Sequence, residues 1–287
     1  MSLAILFAIA SGGTWAIGMT VAKPILRHID VLTYILGRWA LVAPLALLYA
    51  VASGTLAFPS GYAIGMAALA GFIDSTLGGL FYLLAMERAP AYRTATLAST
   101  APLWGVSAAI LLLGEPLRWQ VLVAAVLAVS GAYVLAGHRM TFRDHALGSI
   151  LGLLAGLFWG FAETIPSKLA LEAGLSPATL LFVFSTASVV SMAVMTPFLR
   201  HRFPIRVDRV GVGLTILAGV GGAFFGWLFW LSALRLAPAS LISPLRGSTL
   251  VFALVYSILF LHERPNRSAW IGVALVGAAV TLVSTAA

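Results

Sequence analysis

Residues 69–91 read LAGFIDSTLGGLFYLLAMERAPA, and residues 217–239 read LAGVGGAFFGWLFWLSALRLAPA. An offset of 148 pairs Leu69 with Leu217, Gly71 with Gly219, Gly78 with Gly226, Leu80 with Leu228, Ala85 with Ala233 and Pro90 with Pro238. The same offset carries on to Glu115 and Glu263, in LLLGEP and LFLHER. Further upstream, an offset of 144 aligns Gly12 with Gly156 and Trp15 with Trp159, and each of those stretches ends near a lysine, Lys23 or Lys168. Apolar sequence matches itself easily at single positions. Matches held at one offset over roughly 50 residues, punctuation included, mark a duplicated unit. The two copies are read as residues 1–137 and 146–287.

Composition says what solvent the duplicated unit faces. Of 287 residues, 61% are hydrophobic and 9% charged, and the mean hydropathy is +1.03. A soluble domain carries about 25% charged residues. So few charges cannot cover the surface of a water-soluble fold, whereas lipid can solvate an apolar exterior. This excludes a soluble enzyme, a DNA-binding module and a disordered chain.

Ten apolar runs are long enough to span, at about 3–22, 32–52, 62–86, 92–113, 119–136, 148–167, 178–198, 211–235, 240–260 and 268–285. The first lacks a basic leader and reads as a retained span rather than a signal peptide. Each unit holds five spans. Five is odd, so the second copy enters the membrane from the opposite face. The predicted fold is an all-α polytopic membrane protein, with ten transmembrane helices as two inverted five-helix repeats. Such repeats place a substrate between the halves near the midplane and serve alternating access.

The net charge of +8 sorts by side. Odd-numbered loops hold 12 of the 17 Lys and Arg: Lys23, Arg27, Arg88, Arg93, Arg139, Arg143, Arg200, Arg202, Arg206, Arg209, Arg264 and Arg267. Even loops hold Arg118, Lys168 and Arg235, and the other two, Arg38 and Arg246, lie within spans. The positive-inside rule puts the odd loops in the cytoplasm and both termini outside.

No catalytic motif appears. There is no cysteine, HExxH, G-x-S-x-G or Walker A sequence, and His28, His138, His145, His201 and His262 show no ligand spacing. Neither an enzyme nor a metal or other cofactor is expected.

The scarce intramembrane charges, Arg38, Asp74, Glu163 and Arg246, are therefore the functional candidates. A charge at mid-span costs about 2.5–3.5 kcal/mol on insertion scales, so each needs a partner, a cavity or a role. Asp74 shares a helix face with Gly78, Phe81 and Tyr82, and Glu163 shares one with Gly156, Trp159, Gly160 and Ser167. Arg246, beside Pro244 and Gly247, suits a bidentate carboxylate clamp or a structural partner for Asp74 or Glu163. Arg38, two turns into its span, reads as structural. Trp15, Tyr82, Trp159 and Trp230 are repeat mates in pairs, and together suit a cage for a planar ring or an organic cation. Pro102, Gly105, Pro244 and Gly247 are candidate hinges. Glu115 and Glu263 are expected to cap the next helix or to pair with Arg118 or Arg267, and Trp119 and Trp270 to sit in the interfacial belt.

The Trp-bearing first span, the APA entry to the fourth and the LLxGE or LFLxE before the fifth resemble EamA-type members of the drug/metabolite transporter superfamily. Size and aromatic content are similar to the YddG-like exporter branch. The resemblance implies export of aromatic amino acids and of cationic drugs such as methyl viologen, from a bacterial inner membrane, with both termini in the cytoplasm. The last point is the reverse of the charge count. A passive facilitator, or a carrier of nucleosides or sugar phosphates, is the alternative. The expected partners are a small-molecule substrate, the lipid bilayer and protons as coupling ion, with no nucleic acid. A monomer satisfies everything read here.

Overall fold

Helix starts follow side chains that accept the orphan N–H groups of a first turn, and the acceptors recur in both copies. Asp30 accepts from the Thr33 amide and Ser176 from the Thr179 amide, at 3.0 and 3.1 Å. Ser60 accepts from Ala63 and Asp208 from Gly211, at 3.1 and 2.8 Å. Helix ends recur too. Gly114 and His262, 148 apart, both close their helices in the left-handed region, with φ of 66° and 54°. The second copy thus keeps a glycine conformation with a histidine.

A computed structural model describes residues 2–88, 94, 97–135, 146–262 and 267–286. Arg93, His138, Arg139, Arg143, His145, Glu263 and Arg264 of the readings above lie outside them. The first copy supplies α1 (Ser2–His28), α2 (Val31–Ala52), α3 (Gly61–Gly71), α4 (Gly79–Arg88), α5 (Ala101–Leu113) and α6 (Trp119–Leu135). The second supplies α7 (Ala146–Glu172), α8 (Pro177–Leu199), α9 (Arg209–Leu217), α10 (Phe225–Leu236), α11 (Ala239–Ile242), α12 (Ser248–Leu261) and α13 (Arg267–Ala286). Wider π turns join α3 to α4 (Phe72–Gly78) and α9 to α10 (Ala218–Phe224) without ending the rod. No strand forms among the described residues, beyond an isolated bridge between Ile29 and Val207.

Among the described residues, six helical stretches are long and apolar enough to cross a membrane: Val31–Ala52, Gly61–Ala85, Ala146–Glu172, Pro177–Leu199, Arg209–Leu236 and Ala239–Phe260. Shorter apolar helices cover Ser2–Gly18, Ala101–Leu113, Trp119–Gly131 and Arg267–Leu282. The outward residues are themselves apolar: Leu111, Phe198 and Phe260 are 79, 69 and 69% exposed. A chain that presents such a surface is solvated by lipid tails. Trp119 and Trp270 are also exposed, at helix starts, where indoles anchor to the interface.

Packing repeats with the sequence. α1 packs on α10 and α12, as α7 packs on α4 and α5, and α2 pairs with α8 and α6 with α13. A side chain at Gly226 would meet the Trp15 ring, and one at Gly78 would meet the Trp159 ring. The two contacts are exchanged by the repeat, since each links a glycine of one copy to the first-span tryptophan of the other.

Alternate loops gather at opposite ends. At one end Asp30 accepts from Arg200 at 2.7 Å and from the Arg206 amide at 3.1 Å, while His28 meets Asp208 at 2.8 Å. Burial works against the Asp30 carboxylate, but the bonds from Thr33 and Arg206 and the Arg200 charge outweigh it and hold its pKa below the usual range. At the other end the Ser176 and Thr179 hydroxyls donate to the Thr55 carbonyl at 3.0 and 2.8 Å. There too Glu115 takes the amides of Ala239 and Ser240, both at 2.7 Å. Glu115 therefore caps a helix of the other copy rather than the next helix of its own.

Candidate functional site

A cavity of about 310 Å³ lies between the two copies. Its wall includes Trp15 of α1, Arg38 and Trp39 of α2, Asp74 of the π turn, Tyr82 of α4, Trp159 and Glu163 of α7, Trp227 of α10, and Arg246. Leu26, Val31 and Tyr34 carry the wall to the end of the bundle that holds the α1–α2 turn, and Ala98 and Ser99 accompany them. At the opposite end Trp230, Leu231, Leu234 and Ile242 are completely buried and Leu245 with them. The cavity runs from mid-bundle toward one face, and packed side chains fill the other.

Local backbone irregularity places the charges. The Asp74 carbonyl accepts from the Gly79 amide across the π turn and also from Trp159 Nε1 at 3.0 Å. Ser75 and Thr76 on the same turn donate to Ser188 and Ser191 of α8, at 2.8 and 2.5 Å. Hydroxyl bonds of this kind hold helices together where apolar contacts give no net drive. In the second copy, residues Ser243–Gly247 tighten into a 3-10 turn that presents Arg246. Pro244 stands in the first turn of that segment and Pro102 in the first turn of α5. A proline in the first turn of a helix, as at Pro102, costs no internal hydrogen bond, whereas Pro244 follows α11 directly. The two helices restart at Ala101 and Ser248, one residue from exact repeat equivalence, although the prolines are not equivalent. Pro102 and Gly247 line the cavity, whereas Gly105 packs against Ser243 and Thr164 behind it.

Arg246 Nε donates to Glu163 at 2.6 Å, and its guanidinium lies 5.7 and 5.8 Å from the rings of Trp15 and Trp159. The two repeat-equivalent indoles therefore hold one cation between them. Trp15 packs at a tilt against Trp230, with ring centroids 5.4 Å apart, and Trp159 against Tyr82 at 5.1 Å; these pairs are repeat mates. Tyr82 faces the cavity, whereas Trp230 is fully buried and donates its Nε1 to the Glu163 carbonyl at 2.9 Å. Of the eight residues read as substrate-binding, six line the cavity: Trp15, Asp74, Tyr82, Trp159, Glu163 and Arg246. Gly78 sits beneath the Trp159 ring and Trp230 behind Trp15, both outside the wall.

Among the residues that the structure adds to the wall are Tyr34, Arg38, Trp39 and Trp227. The Arg38 guanidinium lies 5.5 Å from the Tyr34 ring and 4.9 Å from the Trp39 ring. The i, i+4 spacing of Tyr34 and Arg38 was the available signal. Trp227 had another, since its repeat mate is Gly79. No group of acidic, histidine or cysteine residues among those described could hold a metal ion.

The cavity thus has a mixed aromatic and ionic lining, inside a lipid-solvated bundle of two copies. The EamA-like transporter family matches residues 2–137 and 146–285, and the chain belongs to that family. Membership places it among the membrane-embedded, multi-pass members of a transporter family. An "Uncharacterized transporter in cobO 3'region" of Sinorhizobium sp is 34% identical over 58 residues, which are 20% of this chain and 41% of that protein. The match thus spans about two-fifths of the curated relative. A solved structure described as "Crystal structure of protein" superposes with a TM-score of 0.85 over 99% of both chains at 16% identity, a likeness of fold.

Proposed function

We propose that this chain is a ten-helix exporter of small organic metabolites, most specifically aromatic amino acids, working by alternating access between inverted halves. The observation that carries the reading is the pair of repeat-equivalent indoles, Trp15 and Trp159, flanking a cavity of about 310 Å³ with both acids and bases in its wall. A planar side chain stacks on such rings, and fixed charges orient its polar end. The likeness to YddG-like exporters points the same way, toward a bacterial inner membrane. Arg246, which reads from sequence either as a carboxylate clamp or as a structural partner for Asp74 or Glu163, holds Glu163 through its Nε. We assign the two of them the role of a neutral strut at the base of the cavity, with protons as the coupling ion of the cycle.

The test is uptake into proteoliposomes against a panel of amino acids and cationic drugs, with and without an imposed proton gradient. Saturable uptake of tryptophan, phenylalanine or tyrosine, accelerated by the gradient, is the expected result. Absence of saturable uptake of any small organic solute contradicts the transport reading. Uptake indifferent to the gradient would leave a facilitator, and uptake of aliphatic solutes alone would remove the aromatic assignment.

A further inference from the structure

The four charges in the cavity wall are of two kinds. Glu163 and Arg246, from the second copy, neutralise each other at 2.6 Å. Arg38 and Asp74, from the first copy, form no such bond with each other. Arg38 Nε is buried without a hydrogen-bond acceptor among the described residues, and its guanidinium rests on the faces of Trp39 and Tyr34. The Asp74 side chain, in a residue 7% exposed, has one contact at 3.4 Å from the Ser75 hydroxyl and forms no ion pair among the described residues. Neither charge is demanded by the duplicated scaffold, because Phe184 of α8 stands where Arg38 does, 146 residues on, and Gly222 is the mate of Asp74.

Two opposite charges that share a buried cavity without closing on each other retain unmet hydrogen-bonding capacity. Buried groups normally find partners, and an orphaned one calls for a reason. A solute with one anionic and one cationic end supplies that reason. We infer that Arg38 and Asp74 are the charge-reading pair for a zwitterionic amino acid, with the α-carboxylate on Arg38, the α-ammonium on Asp74 and the side chain among Trp15, Tyr82 and Trp159. This rests on the amino-acid reading above and moves the carboxylate site from Arg246 to Arg38. It also sets the substrate class by charge. Two acids and two bases make the wall formally neutral, and a zwitterion keeps it so. A dication such as methyl viologen would leave two uncompensated charges in a low-dielectric site, and a simple carboxylate would leave one. Zwitterions are carried, and dications are not.

The experiment is competition against labelled L-tryptophan uptake in proteoliposomes, with tryptamine, which lacks the carboxylate, indole-3-propionate, which lacks the ammonium, and methyl viologen. For the wild-type chain, each single-charge analogue should compete about 10- to 100-fold more weakly than tryptophan, as expected for loss of a charge-assisted hydrogen bond. R38Q should weaken tryptophan by a similar factor and leave tryptamine unchanged, and D74N should weaken tryptophan and leave indole-3-propionate unchanged. Equal competition by either analogue in the wild-type chain, equal weakening of tryptophan and tryptamine by R38Q, or tight competition by methyl viologen would overturn the assignment. If R38Q fails to fold, R38K, which keeps the charge and loses the planar fork, replaces it, and the wild-type comparison needs no variant at all. If uptake is confined to aliphatic amino acids, the aromatic reading fails, and leucine, isoamylamine and 4-methylvalerate decide the charge assignment by the same comparison. No uptake of any amino acid overturns both.

Discussion

Glu163 and Arg246 show how a single residue pair can be legible in type and illegible in role. Their rarity inside apolar spans marks them, and a structural partnership between them is one of the two roles that the sequence allows Arg246. Only the fold shows the bond at 2.6 Å and the two indoles around it. Removing one member leaves the other buried and unpaired, which costs about 3–5 kcal/mol. Glu163→Gln should therefore lower the thermal stability of the purified chain by that order, and the double change Glu163→Gln with Arg246→Met should recover most of it. A single variant as stable as wild type would remove the strut. Arg38, which reads from sequence as structural, lines the cavity, because position along a helix says how deep a residue lies and not which way it points. Asp30 gives a pH signature away from the membrane interior. Its folded pKa lies below the ordinary 3.8, so its stabilising contribution is complete above the unfolded value and is lost as pH falls through the folded one. The stability difference between wild type and Asp30→Asn should be constant near neutrality and shrink in strongly acidic buffer. A difference that grew on acidification would contradict the sign.

At the scale of elements, the repeat foretold which residues would be equivalent, and it left open where they would meet. The glycine and tryptophan pairs were both visible in sequence. That Gly78 touches Trp159 and Gly226 touches Trp15 needed the docking of one copy on the other. Spans four and nine each carry a proline and a glycine that read as candidate hinges. The structure places both prolines in first turns, where the helices restart at nearly equivalent places although the prolines themselves are not equivalent. The sequence offers no rule for this, because a proline ends a helix on its N-terminal side whether it sits at the break or a few residues past it. Glu115 was expected to serve its own neighbourhood and reaches across to α11. Contacts between copies are what a local reading misses. Since both carboxylate oxygens take amides of the other copy at the packed end of the bundle, Glu115→Ala should loosen that end. Its expected effect is about 1 kcal/mol, within the range for lost helix caps. The check is thiol labelling of a cysteine introduced at Leu236, half exposed at the end of α10, in a chain with no cysteine of its own. Labelling should be faster with Glu115→Ala than without it, and an unchanged rate would show that the cap holds nothing shut.

For the molecule as a whole, the inverted repeat makes a quantitative demand. Its two ends are chemically different versions of one arrangement, and the structure holds one packed and the other open. Tyr82 faces the cavity where its mate Trp230 is completely buried. If the halves rock about the cavity, these environments exchange. Leu112 with Leu236 reports the packed end, and their repeat mates Phe260 with Arg88 report the open one. With spin labels at each pair in turn, the distance distributions in lipid nanodiscs test the exchange directly. Upon addition of tryptophan, the account predicts that a longer Leu112–Leu236 population grows while a shorter Phe260–Arg88 population grows with it. Distances that stay fixed under saturating tryptophan, or that lengthen together at both ends, would contradict alternating access in this protein.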